Sequence, residues 1–94
     1  MKFLIEYSEE KNLLLKATRG VCFEDVLEAI EKEDILADLK HFKKTNQRIL
    51  VVKIKNYAYA VPYVIDNKRS TFFLKTVYPS RVLTKRYIKK GENI

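Results

Sequence analysis

The chain has 94 residues, enough for one domain around a single core and too few for a second. Lys and Arg number 19 against 12 Asp and Glu, for a net charge of +7, and 47% of residues are hydrophobic with only two Gly and two Pro. That composition excludes a disordered arm or a low-complexity linker. The longest uncharged apolar run, Tyr57 to Ile65, is far below the roughly 20 residues that span a bilayer, and Glu6 interrupts the start of the chain before a secretory h-region forms. A cytoplasmic protein is expected. Cys22 is the single cysteine, so no internal disulfide forms.

The net charge hides an asymmetry. Residues 1–40 hold 6 Lys or Arg against 10 Asp or Glu, a net −4, whereas residues 41–94 hold 13 against 2, a net +11. A half-molecule so charged must be held against its own repulsion, which points to a polyanion or an acidic protein as partner. The competing explanation is a charge that serves solubility alone.

In chain order, Phe3 to Tyr7 reads as a short strand. Ser8, followed by Glu9 and Glu10, is an N-cap with acids in the first turn, and it opens a helix that runs to about Thr18 and stops at Gly20. Phe23, Val26, Leu27 and Ile30 then recur at helical spacing between Glu24, Asp25, Glu28 and Glu31, giving a second amphipathic helix. Ile35 to Phe42, Ile49 to Ile54, Tyr57 to Ile65 and Thr71 to Tyr78 read as strands, and a closing helix follows Ser80. The predicted order is β-α-α-β-β-β-β-α: a small, mostly antiparallel α+β fold with two helices on one sheet face.

Turn chemistry predicts which side chains share a face. With Lys55-Asn56 and Asn67-Lys68 as two-residue hairpin loops, Leu50, Val52, Ile54, Tyr57, Tyr59, Val61, Tyr63, Phe72, Leu74, Thr76 and Tyr78 fall on one side. That larger apolar surface is expected under the two helices. Ile49, Val51, Lys53, Ala58, Ala60, Pro62, Phe73, Lys75 and Val77 take the other, where two alanines between two lysines suggest a cationic groove.

On the closing helix, Leu83, Thr84, Tyr87 and Ile88 share one side while Arg81, Lys85, Arg86, Lys89 and Lys90 sweep the other. Lys89 and Lys90 suit the negative end of the helix dipole and need no function. Arg81 opposes the dipole in the first turn, which points to a bound anion or an acidic neighbour, with chance placement as the alternative.

The stretch "KATRGVCFEDV", the strand running into "PSR" and the order of elements resemble the BrnT family of bacterial toxins, within the RelE-like ribonuclease superfamily. Tyr7, Lys11, Gly20, Val21, Phe23 and Glu24 match the family pattern, as do Ser80 and Arg81, with Tyr87 close to a frequent tyrosine. Ser8 stands where an acid is usual, Thr18-Arg19 replaces Lys-His, Lys75 lies near an arginine that this chain lacks, and Leu83 replaces an acid.

The resemblance implies a RelE-like fold, cleavage of RNA, free or on the ribosome, without a cofactor, and a cognate ribbon-helix-helix antitoxin that forms a hetero-oligomer with the toxin. No metal site is read from one His and one Cys. Cleavage needs a base for the ribose 2′-OH, a cation for the phosphate and an acid for the leaving oxygen. By side-chain type and face, Lys75 is the candidate base, Arg81 the phosphate holder, and Lys85 or Tyr87 the acid. Arg48, Lys53 and Arg86 are candidate nucleic-acid contacts.

Three other readings stand beside this one. His41 and Cys22 are nucleophile-and-base residue types, without a third group to orient them. Tyr57, Tyr59 and Tyr63 make either a buried sheet face or a platform for stacked bases in a non-catalytic RNA-binding module. A degenerate toxin retained as an interaction protein fits the missing arginine and acid.

Overall fold

The computed structural model describes residues 3–89. Its elements are β1 (Leu4–Tyr7), α1 (Glu9–Arg19), α2 (Phe23–Glu31), β2 (Ile35–Lys40), β3 (Gln47–Ile54), β4 (Tyr57–Asp66), β5 (Thr71–Leu74), β6 (Tyr78–Pro79) and α3 (Arg81–Tyr87). The strands form one sheet in the order β1-β5-β4-β3-β2, with β6 also pairing β4; β1 runs parallel to β5 and the other pairs are antiparallel. Apart from the two-residue β6, the order is the one the sequence predicts.

Local chemistry sets the helix ends. The Ser8 side chain accepts from the Lys11 N–H at the start of α1, and Ser80 accepts from the Leu83 N–H at the start of α3, so each hydroxyl satisfies an amide that the helix itself leaves free. Gly20 ends α1 with φ 68°, a conformation that costs glycine nothing, and its N–H returns to the Leu15 carbonyl. At α2 the Asp25 carboxylate reaches back to the Cys22 N–H.

The core lies between α1, α2 and one sheet face. Leu15, Phe23, Val26 and Ala29 from the helices meet Val52, Ile54, Val61, Tyr63, Leu74 and Val77. Burying a residue such as Phe23 fully contributes about 1.5–3 kcal/mol, so this face carries most of the apolar stabilisation. Asn12, 1% exposed, ties the helices together: its amide donates to Glu24 Oε1 at 2.9 Å and its carbonyl accepts from the Phe23 N–H at 2.7 Å.

The first hairpin has the predicted register, Ile54 opposite Tyr57, with Lys55 and Asn56 at φ 54° and 64° as a two-residue turn of this hand requires. The second differs. Asp66 pairs Thr71, so the loop is the four residues Asn67 to Ser70 and the pairing slides by two. An even slide keeps each side chain on its face, which is why Phe72 and Leu74 still point at the helices.

The last strand does not run from Thr71 to Tyr78. It stops at Leu74, and pairing with β4 resumes only at Tyr78–Pro79. Across that break the alternation loses phase, and Val77, expected in the groove, is fully buried in the main core while Tyr78, expected inside, is exposed. The groove itself is filled. Ala58 and Ala60 are buried, α3 packs on β4, and the buried Thr84 hydroxyl accepts from the Ala58 N–H at 2.9 Å. The two small side chains admit the helix rather than leaving a cleft.

Candidate functional site

The break after β5 delivers the candidate residues. Lys75 sits in it, its N–H bonded to the Pro62 carbonyl at 2.8 Å and its side chain exposed. Tyr78–Pro79 and the Ser80 cap then turn the chain into α3, which presents Arg81, Lys85 and Arg86 to solvent while Leu83, Thr84, Tyr87 and Ile88 face inward. This is the amphipathic split read from the sequence. Lys53 lies opposite Ala58 and is half-buried; because Thr84 binds Ala58, Lys53 comes beside the start of α3. Lys90 lies outside the described residues.

No side chain among Lys53, Lys75, Arg81, Lys85, Arg86 and Tyr87 makes a hydrogen bond or ion pair with another described residue. Among the described residues, then, no ion pair offsets the dipole that Arg81 opposes, and the first turn of α3 holds no acid. The arrangement can hold an anion, since cations left in water without a carboxylate keep their field available to a phosphate.

Arg48 stands apart. It is on the sheet face that carries Tyr63, its Nε donates to Asp38 Oδ1 at 3.0 Å, and its Nη2 donates to the Asp38 carbonyl at 3.0 Å. The Tyr63 hydroxyl donates to the same carboxylate at 3.0 Å, and burial, then Asp38, push its ionisation up to about 12. The hydrogen bond to Asp38 also raises the Arg48 pKa. One of the three tyrosines of the proposed platform is thereby closed off: Tyr63 is 5% exposed in the core, while Tyr57 and Tyr59 are half-buried, their rings edge-on at 6.1 Å.

The other nucleophile candidates are separate. Burial pushes the Cys22 thiol up, away from the thiolate a nucleophile needs, and its Sγ lies 3.4 Å from Asp25 Oδ2. His41 accepts at Nδ1 from the Lys43 and Lys44 N–H groups and makes no bond with Cys22. Asn12 and Cys22 bonding holds the Glu24 carboxylate down at about 2, a consequence of its place between the two helices.

Sequence reasoning overlooked the anchoring of Arg19. Its Nη1 donates to the Val77 carbonyl at 3.0 Å, pinning the end of α1 to the break that carries Lys75. An arginine in the last turn of a helix looks like a dipole contact, and only the fold reveals a partner 58 residues away.

Among solved structures, the chain is similar to the E. coli toxin RelE in the free state, determined as a double arginine-to-alanine variant, with 16% identity, a TM-score of 0.50, and coverage of 97% of this chain and 98% of that one. A second structure of isolated E. coli RelE aligns at 17% identity and a TM-score of 0.47 over 89% and 94% of the two chains. No protein-family model and no curated protein matches the sequence. The chain has a RelE-like α+β fold.

Proposed function

We propose that this protein is the toxin of a type II toxin–antitoxin system, a BrnT-like, metal-independent endoribonuclease that blocks translation. The observation that carries the reading is the set of cations around the β5–β6 break and α3 that have no bonded partner among the described residues, on a fold shared with a bacterial toxin. Lys75 takes the proton of the ribose 2′-OH; the 2′-oxygen attacks phosphorus, and the bond to the 5′-oxygen breaks. Arg81 holds the phosphate as charge accumulates, and Lys85 or Tyr87 gives a proton to the departing oxygen. The products are a 2′,3′-cyclic phosphate and a 5′-hydroxyl. Lys53 and Arg86 take flanking phosphates, and Arg48, tied to Asp38, offers its remaining N–H groups.

The partner is a ribbon-helix-helix antitoxin with an acidic flank that neutralises the +11 half, in the cytoplasm of a bacterial cell. Expression of the protein without that partner arrests growth. Lys75→Ala and Arg81→Ala each restore it, and Lys89→Ala does not, at equal expression and equal melting temperature. Growth arrest undiminished by either of the first two changes would remove those residues from the site.

A non-catalytic RNA-binding protein is the second reading. It is favoured by Leu83 in place of an acid and by the lack, among the described residues, of a side-chain bond orienting Lys75.

A further inference from the structure

The connection between β2 and β3, His41 to Asn46, holds a second cluster of aromatic and cationic groups, at the opposite end of β3 from the β3–β4 turn. Lys40, His41, Lys44, Thr45, Gln47 and Arg48 line a pocket of about 230 Å³. Three of the six are cations, and among the described residues only Arg48 of these has a carboxylate partner. From Leu39 to Ile65 the chain contains no Asp or Glu. Beside the pocket, Phe42 is 87% exposed. One exposed phenylalanine is ordinary in itself; its surroundings are what give it meaning.

The loop is fixed. The Lys43 and Lys44 N–H groups donate to His41 Nδ1 at 3.1 and 3.2 Å, the His41 N–H donates to the Gln47 carbonyl at 3.2 Å, and the Ile65 N–H donates to the Asn46 carbonyl at 2.8 Å. The bonded imidazole stacks on Phe42, centroids 5.3 Å apart and planes within 5°, and Lys43 Nζ lies 5.4 Å from the phenyl centroid. An aromatic surface is thus preorganised next to a cationic hollow. That pairing is what single-stranded nucleic acid needs, a π-face for a base and cations for its phosphate.

We propose that the β2–β3 loop is a single-strand RNA subsite, in which a base stacks on Phe42 and an adjacent phosphate enters the pocket of Lys40, Lys44 and Arg48. It rests on the reading of RNA as the ligand and extends the footprint beyond α3. An acidic protein would also be drawn to the lysines, but the flat, stacked ring favours a base.

The protein has no tryptophan, so Phe42→Trp introduces a single reporter on the proposed platform. The probe is a single-stranded DNA dodecamer, which keeps bases and phosphates and lacks the 2′-OH through which RNA is cut. Its addition should quench the indole, and an abasic strand of equal length should not. In the otherwise unaltered protein, Phe42→Ala should weaken the dodecamer about tenfold. Lys40→Ala with Lys44→Ala should lower the salt slope by about 0.7 for each phosphate that the lysines neutralise. Lys75→Ala should leave the quench intact.

Binding that ignores Phe42 and the two lysines while falling with Arg81→Ala would overturn the subsite and leave the ribonuclease reading standing. Loop-dependent binding with no cleavage of RNA would do the reverse. Quenching by an acidic polyglutamate peptide but not by the dodecamer would overturn the proposal in favour of a protein partner, and no nucleic-acid binding at all would overturn both.

Discussion

The two sides of the sheet use polar groups in opposite ways. On the α1–α2 side, Asn12 serves the Phe23 N–H and Glu24, Lys16 lies 3.6 Å from Glu24, and Tyr63 and Arg48 converge on Asp38. Along the β5–β6 break and α3, the exposed cations Lys75, Arg81, Lys85 and Arg86 have no bonded partner among the described residues. Satisfied groups on the first side specify one packing arrangement, whereas uncompensated charge on the second does nothing for the fold. The exposed cations of the second side all come from the basic half of the sequence.

The largest effect separating the two sides is expected at Asn12. Asn12→Ala leaves the Phe23 N–H without its partner, at a cost of about 1–3 kcal/mol. For a domain of this size that lowers the melting temperature by about 4–24 °C. Arg81→Ala should hardly move it. A melt showing the opposite ranking would dissolve the distinction between the two sides.

Charge reversal tests the same division from the functional side. Arg81→Glu with Lys85→Glu should weaken binding to the proposed antitoxin about tenfold at low salt, with the difference shrinking as salt rises. Titration calorimetry at two ionic strengths checks this. Unchanged affinity would place the antitoxin elsewhere.

The smallest effects are those of pH. Tyr63 ionises at about 12 in the fold against an ordinary value of 10.0, so the stability it contributes is fully present below pH 10 and is lost as pH rises through 12. Glu24 is shifted the other way, from 4.5 to about 2; its contribution is present above pH 4.5 and is lost as pH falls through 2. Because the Glu24 side chain is about half exposed, water screens that contribution and it should be slight. Urea midpoints of the wild type and Tyr63→Phe should converge between pH 10 and 12, and those of the wild type and Glu24→Gln between pH 4.5 and 2.

Much of this was legible before any coordinates. Ser8, Gly20, Ser80 and Lys55-Asn56 act through neighbours one to five residues away, so local chemistry was enough to place the helix ends and the first turn. Thr71 to Tyr78 misled because the alternation of strand-forming residues, Thr76 and Val77 among them, continues through the break without a Gly or Pro to mark it. What seats Val77 in the core is its packing there, with its carbonyl held by Arg19, and neither interaction is local. The alanine groove failed for a similar reason: small side chains announce a close approach but not what approaches, and here it is α3. Arg81 and Lys85 were found as the cationic side of a helix; that they have no bonded partner among the described residues needed the fold.

The most direct measurement is cleavage, by the purified protein freed of its antitoxin, of two RNAs that differ by one 2′-OH. It is made in EDTA, with the RNA alone and on translating ribosomes. The unmodified strand should be cut to leave a 2′,3′-cyclic phosphate, and the strand with deoxyribose at the cleaved position should resist there while still binding. Cutting that ignores the missing hydroxyl, or that is abolished by EDTA and restored by magnesium, would contradict the mechanism.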